Sequence, residues 1–179
     1  AEMAVTPDLK NSGNLLVLVG RTQREFGGSH LSMISGDTVV RAVPAPDPLS
    51  PATYRGLHRA MRAGLVVSAH DCSEGGFAIA LTECCIADRN APMGATVSLA
   101  PWAAIPARAL LFGEAQGRII VTASDLPALL AVAKKHAVPA HVIGSTASAA
   151  AGLTITGAGR RLRATLPELS DAYHGALER

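Results

Sequence analysis

The sequence predicts an α+β fold: a mixed β-sheet with helices packed against it and split βαβ elements of the ferredoxin-like kind. Three observations predict it. From residue 65 to 145 the apolar pattern runs strand, helix, strand, strand, helix, strand, the order of a split βαβ unit. Apolar residues make up 49% of the 179 positions and charged ones 17%, enough to bury one core and offset the entropy of ordering the chain. The stretch "SAHDCSEGG" (68 to 76) contains neither GxGxxG nor GxxxxGK[ST], so the loops that carry nucleotides on doubly wound sheets are absent.

The elements follow in order. Residues 1–13, ending "AVTPDLKNSG", read as a polar connector punctuated by Pro and Gly, and residues 14–179 as a single domain. "NLLVLVG" (14 to 20) is a continuous apolar run suited to a buried strand, and "TVVRAV" (38 to 43) is a weaker strand candidate. Between them "RTQREFGGSH" reads as a glycine-broken loop. Ser50 is placed to cap a helix that has Pro51 at its first position and ends at Gly64. "LVVSA" (65 to 69) is the next strand, followed by a helix from about Gly75 to Asp88 with Phe77, Ala80, Leu81 and Cys84 along one stripe. The second half repeats the grammar. Strands at 95–99, 118–122 and 141–145 alternate with helical runs at 107–113 and 124–137; two strand candidates, "GLTIT" and "RLRAT", and a last helix close the chain.

Composition excludes several functions. Net charge is +2 with Lys and Arg scattered, and aromatics are 3%, so there is neither a basic patch nor a set of stacking rings for nucleic acid. No apolar run reaches the roughly 20 residues of a membrane helix, and the start has no signal-peptide pattern, so a cytoplasmic protein is expected. Three cysteines, two of them adjacent, show no CxxC or zinc spacing and read as core residues. His30, His58, His136, His141 and His174 are dispersed, and no metal role is assigned.

The most polar joint of the chain lies between the strand at 65–69 and the helix after it. Asp71 and Ser73 can cap the free N–H groups of that helix, while Gly75 and Gly76 allow a tight turn or a close backbone approach. A plain structural turn satisfies these residues. A functional reading adds that such a helix start presents N–H donors suited to phosphate or carboxylate, with His70, Asp71 and Glu74 offering groups for amine, amide or hydroxyl. A hydrolase triad from Ser73, His70 and Asp71 is set aside, since no GxSxG elbow is present. Gly27, Gly28 and Ser29 form a second small-residue loop, and Glu114 and Arg118 sit four apart across a turn, where an exposed pair would contribute less than about 1 kcal/mol.

"FGGSH", "AHDCSEGGFAIALTE", "LLFGEAQGRIIV" and "VPAHVIGS" occur in an order and at spacings that resemble the carboxy-terminal part of phosphoribosylformylglycinamidine synthase. The similarity runs through nearly the whole chain. It extends to a superfamily with aminoimidazole ribonucleotide synthetase, selenophosphate synthetase, thiamine-monophosphate kinase and the hydrogenase maturation dehydratase. Glu74 stands where that family more usually has aspartate, and Ala115 where serine is more usual. The resemblance implies one domain of an ATP-dependent, carbon–nitrogen bond-forming ligase of purine biosynthesis, which uses ATP and magnesium to convert formylglycinamide ribonucleotide to the amidine. It implies partners: the upstream domains of the same polypeptide and a glutamine amidotransferase that supplies ammonia. ATP, magnesium ligands and the catalytic histidine fall mainly on those other domains. This chain alone is therefore expected to be inactive, with no catalytic residue and no metal ligand. His70, Asp71, Ser73, Glu74, Gly75, Gly76, Gly27, Gly28, Ser29, Glu114 and Arg118 are the candidates for lining a substrate or nucleotide cleft. A non-catalytic assembly or ligand-binding domain, or the same domain of another superfamily member, is the alternative.

Overall fold

A computed structural model describes residues 4–36 and 42–177. The elements are β1 (Leu15–Val19), α1 (His30–Ser35), α2 (Ser50–Arg62), β2 (Val66–Asp71), α3 (Gly76–Ile86), β3 (Gly94–Ser98), α4 (Ala107–Phe112), β4 (Ile119–Ala123), α5 (Leu126–Lys135), β5 (Ala140–Ala147), β6 (Leu153–Gly157), β7 (Arg160–Ala164) and α6 (Leu166–His174). The strands form one seven-stranded sheet in the order β2-β4-β1-β5-β3-β6-β7. Every pairing is antiparallel except β3 with β6, so the sheet is mixed, as the sequence predicts.

The split βαβ unit is present but begins one strand earlier than the apolar pattern at 65 suggests. It runs β1-α2-β2 and then β4-α5-β5, with spatial order β2-β4-β1-β5, and the segment α3-β3-α4 is inserted between β2 and β4. The reason lies in burial. Leu16, Val17 and Leu18 are all at or below 1% exposure, so β1 is covered on both faces and takes a central place, as an uninterrupted apolar run requires. β3, whose Thr96 and Ser98 face outward, goes toward the outer half of the sheet.

Helices cover both faces. α2 and α5 pack against Val17, Val19, Val66, Ile119 and Val121, while α3, α4 and α6 close a larger core over Leu16, Leu18, Ile120, Ile143, Val97 and Ile155. Residues before β1 lie on the domain: Ala69 donates its N–H to the Thr6 carbonyl, and buried Leu9 donates to the Cys84 carbonyl. Three local readings need correction. Ser50 is the first residue of α2 and not its cap; the Asp47 carboxylate takes the Leu49 N–H at 2.9 Å instead. The loop at 21–30 ends in a short helix, α1, capped by Ser29, which accepts from Ser32 N–H at 3.2 Å. In the strand candidate at 38–43, residues 38–41 lie outside the described residues; Ala42 is not in a strand, and its carbonyl accepts from Phe26 and Gly27.

Candidate functional site

The turn between β2 and α3 owes its shape to two glycines in succession. Gly75 has φ 73° and Gly76 φ 68°, a left-handed pair that other residues adopt only with strain. At Gly76 space forbids a side chain as well, because a Cβ would stand 2.5 Å from the Gly113 carbonyl oxygen and 2.8 Å from the Phe112 carbonyl carbon. The start of α3 therefore rests directly on the end of α4, and Glu114, two residues beyond Phe112, reaches the turn.

Glu114 is the hub. Its Oε1 accepts from Gly75 N–H at 2.8 Å and His30 N–H at 2.9 Å, and lies 3.0 Å from His30 Nδ1. One carboxylate thus ties the loop carrying Gly27, Gly28 and Ser29, the β2–α3 turn and the segment after α4. Burial pushes its carboxyl pKa up, but the His30 and Gly75 donors outweigh that, and the net shift is downward. Asp71 and Ser73, expected to cap α3, instead bond each other through the Ser73 hydroxyl, and α3 has no side-chain cap of its own.

The remaining candidates separate. Gly27 and Ser29 are buried beneath the α1 loop, while Asp71, Ser73 and Glu74 are exposed. Arg118 does not pair with Glu114. Its side chain is buried, and Nη2 donates to the Gly113 carbonyl. His70 lies on the α3 side of the sheet. Its Nε2 is 2.9 Å from a Glu83 oxygen, whose other oxygen accepts from Tyr173 OH at 2.8 Å, so the imidazole links β2, α3 and α6. The Glu83 carboxylate beside it pushes the Tyr173 phenol pKa up.

A cavity of about 150 Å³ opens where Asp71, Cys72 and Ser73 face Glu114 and Arg118, with Gln116, Gly117 and Tyr54 completing its wall. His70 does not line it. Tyr54 and Gln116 escaped the sequence reading; Tyr54 sits one turn into an ordinary amphipathic helix, and only the fold brings it here. A larger groove, about 660 Å³, runs between the end of α3 and α6 past Arg89 and His174, and none of the candidate residues reaches it. The Cys72 thiol is pushed up to about 11 and Cys85 to about 12, in both cases chiefly by burial, which fits core residues and not nucleophiles. Among the described residues no three His, Cys, Asp or Glu side chains converge as a metal site.

Residues 11–154 match the family described as AIR synthase related protein, C-terminal domain. The chain belongs to that family. Within it, the chain is 38% identical over 181 aligned residues to phosphoribosylformylglycinamidine synthase subunit PurL of Anaeromyxobacter sp., covering 96% of this chain and 23% of that protein. It is 34% identical to the subunit of the same name from Methanosarcina barkeri, covering 90% of this chain and 21% of that one. This AIR synthase related domain thus spans about a fifth of the length of the curated relatives it matches. Among solved structures, Thermotoga maritima PurL complexed with FGAR shares the fold with a TM-score of 0.76 at 20% identity, over 94% of this chain and 30% of that chain. The resemblance read from "FGGSH", "HDCSEGG" and "LFGEAQGR" is borne out, and the three stretches are those that Glu114 draws together.

Proposed function

We propose that the chain is the C-terminal AIR synthase related domain of a phosphoribosylformylglycinamidine synthase: an ATP-dependent ligase of purine biosynthesis in which this domain lines part of a cleft and is inactive alone. The observation that carries the reading is the identity to PurL subunits over 96% of the chain, joined to the convergence of its motifs on one carboxylate. Residues 1–13 act as a connector from preceding domains and 14–179 as one domain of the longer polypeptide. Solved PurL of T. maritima has been captured with FGAR and with ATP, which supports a nucleotide and ribonucleotide cleft in the whole enzyme. The PurLQS structure from the same organism supports an amidotransferase partner that delivers ammonia.

In this cleft, Asp71, Ser73 and Glu74 are the exposed side chains of the turn; Gly75, Gly76, Gly27, Gly28, Ser29 and Glu114 shape its wall, and Arg118 lies beneath. His70 supports the turn from behind. In the whole enzyme, ATP with magnesium would supply the phosphoryl group that activates the substrate amide oxygen. Asp71 and Glu74 fit a supporting role toward the ribonucleotide hydroxyls, and the magnesium ligands would come from the other domains. A cytoplasmic location follows from the same assignment, and no helix among the described residues is long and apolar enough to cross a membrane.

The test is Asp71→Asn in the full-length enzyme. This exchange keeps the side-chain shape and removes its charge. A fall in kcat/KM for formylglycinamide ribonucleotide, with unchanged thermal stability, is the expected result. Unchanged turnover, assembly and nucleotide content would reduce the turn to a structural feature.

A further inference from the structure

We propose that the free edge of β7 is a docking site for an extended acidic segment of a separate polypeptide, which adds to the sheet as a further strand.

β7 is the last strand of the sheet, and among the described residues its outer edge has no backbone partner. An unpaired row of N–H and C=O groups is a template for another strand. Three of its five residues are arginines. Arg160, Arg161 and Arg163 are all exposed, and none of the ion pairs among the described residues includes them. Charged side chains on an edge keep copies of a chain apart, and an antiparallel β7–β7 pair centred on Leu162 would set Arg161 of one copy against Arg163 of the other. A second copy of this chain is therefore the wrong occupant, and an acidic strand the right one.

The two faces of the edge differ. Leu162 stands opposite Ile155 in the β6–β7 register, so it lies on the α3 side of the sheet, where it is 42% exposed. A cavity of about 270 Å³ opens beside it, walled by Ile79 and Thr82 of α3, Phe112, Ile155 and Leu169. Arg161 and Arg163 alternate to the opposite face, where Arg161 stands against exposed Thr156. The edge thus offers an apolar socket on one face and two cations on the other. A strand with apolar residues at every second position and carboxylates between them satisfies both, because side chains directly across from each other share a face.

The position of the edge selects the source. The Thr6 carbonyl accepts the Ala69 N–H, so the segment before β1 runs beside β2. β2 and β7 are the two ends of the sheet, about 29 Å apart at the usual strand spacing. On the synthase reading above, on which this choice rests, the preceding domains join through that segment, at the far end from β7. The β7 edge is left to a chain in trans.

The test is titration of the 179-residue chain at neutral pH with the end-capped heptapeptide EVEVEVE, followed by calorimetry and amide chemical shifts. Saturable binding is expected, with shifts centred on residues 153–164 and on Ile79. Exchange of the glutamates for glutamine in the peptide, or Arg161→Gln together with Arg163→Gln in the chain, should weaken it by about tenfold, and added salt should weaken it as well. Proline in place of the central valine, which breaks strand pairing, should abolish it. Both arginines are exposed, so the double variant should fold; the two control peptides decide if circular dichroism shows that it does not. No saturation, equal affinity for the glutamine or proline peptide, or unchanged affinity in the folded double variant would overturn the proposal. Loss of binding in the full-length synthase would also overturn it, since its own domains would then cover β7. None of these results touches the synthase assignment, which the Asp71→Asn assay tests separately.

Discussion

Glu114 shows how one side chain can set the geometry of a site from a distance. Its carboxylate satisfies two backbone N–H groups on segments that are 84 and 39 residues away in sequence. Removing it in Glu114→Ala leaves both donors without their charged acceptor, and a loss of about 2 kcal/mol in urea unfolding is expected. The pH dependence has a definite sign. Because the native carboxyl pKa lies below its ordinary value, the stabilisation is fully present above the unfolded carboxylate pKa of about 4.3 and is lost as pH falls through the lower native value. The stability gap between wild type and Glu114→Gln should therefore be largest at neutral pH and shrink on acidification below about pH 4.3. A gap independent of pH from neutrality to strong acid would rule out the charge as the cause. The motif singles out Glu114, but its structural role is not legible there, since a pairing with Arg118 four residues on is what local spacing suggests, and the fold sends the two in different directions.

At the scale of elements, caps separate local from tertiary logic. α6 carries a capping box in which Thr165 accepts from Glu168 N–H while the Glu168 carboxylate accepts from Thr165 N–H at 2.8 Å. Thr165→Ala should cost about 1 kcal/mol. Ser73→Ala should cost under about 0.5 kcal/mol, because the exposed Ser73 hydroxyl bonds Asp71 and caps nothing. Thermal melts of the two variants side by side give the check, and a Ser73→Ala loss equal to that of Thr165→Ala would contradict the capping account. Most strands and the longer helices were legible because their periodicity is strong. α1 was not, since its six residues have no buried position, and it is fixed by the Ser29 cap and the Glu114 contact. The β2–α3 turn was recognised by its glycines, but its cap was assigned to the wrong residues because the true acceptor lies on a different element.

The described residues form a ferredoxin-like unit into which α3-β3-α4 has been inserted and to which β6, β7 and α6 are added, and the insertion builds the candidate site. It brings the β2–α3 turn against the end of α4 and carries β3 across the sheet to pair with β5 and β6. The α+β class and the mixed sheet were legible from element order, whereas the central place of β1 depended on burial of both its faces. In the synthase assignment such a domain supplies one wall of a cleft, and catalysis needs nucleotide, ribonucleotide and ammonia to be held together. The most direct measurement is ADP and amidine formation from ATP, formylglycinamide ribonucleotide and ammonium, by the 179-residue chain alone and then with the remaining domains of the synthase polypeptide supplied. The account predicts no turnover by the chain alone and stoichiometric ADP and amidine once the other domains are present. Robust turnover by the chain alone, or none after the domains are restored, would contradict it.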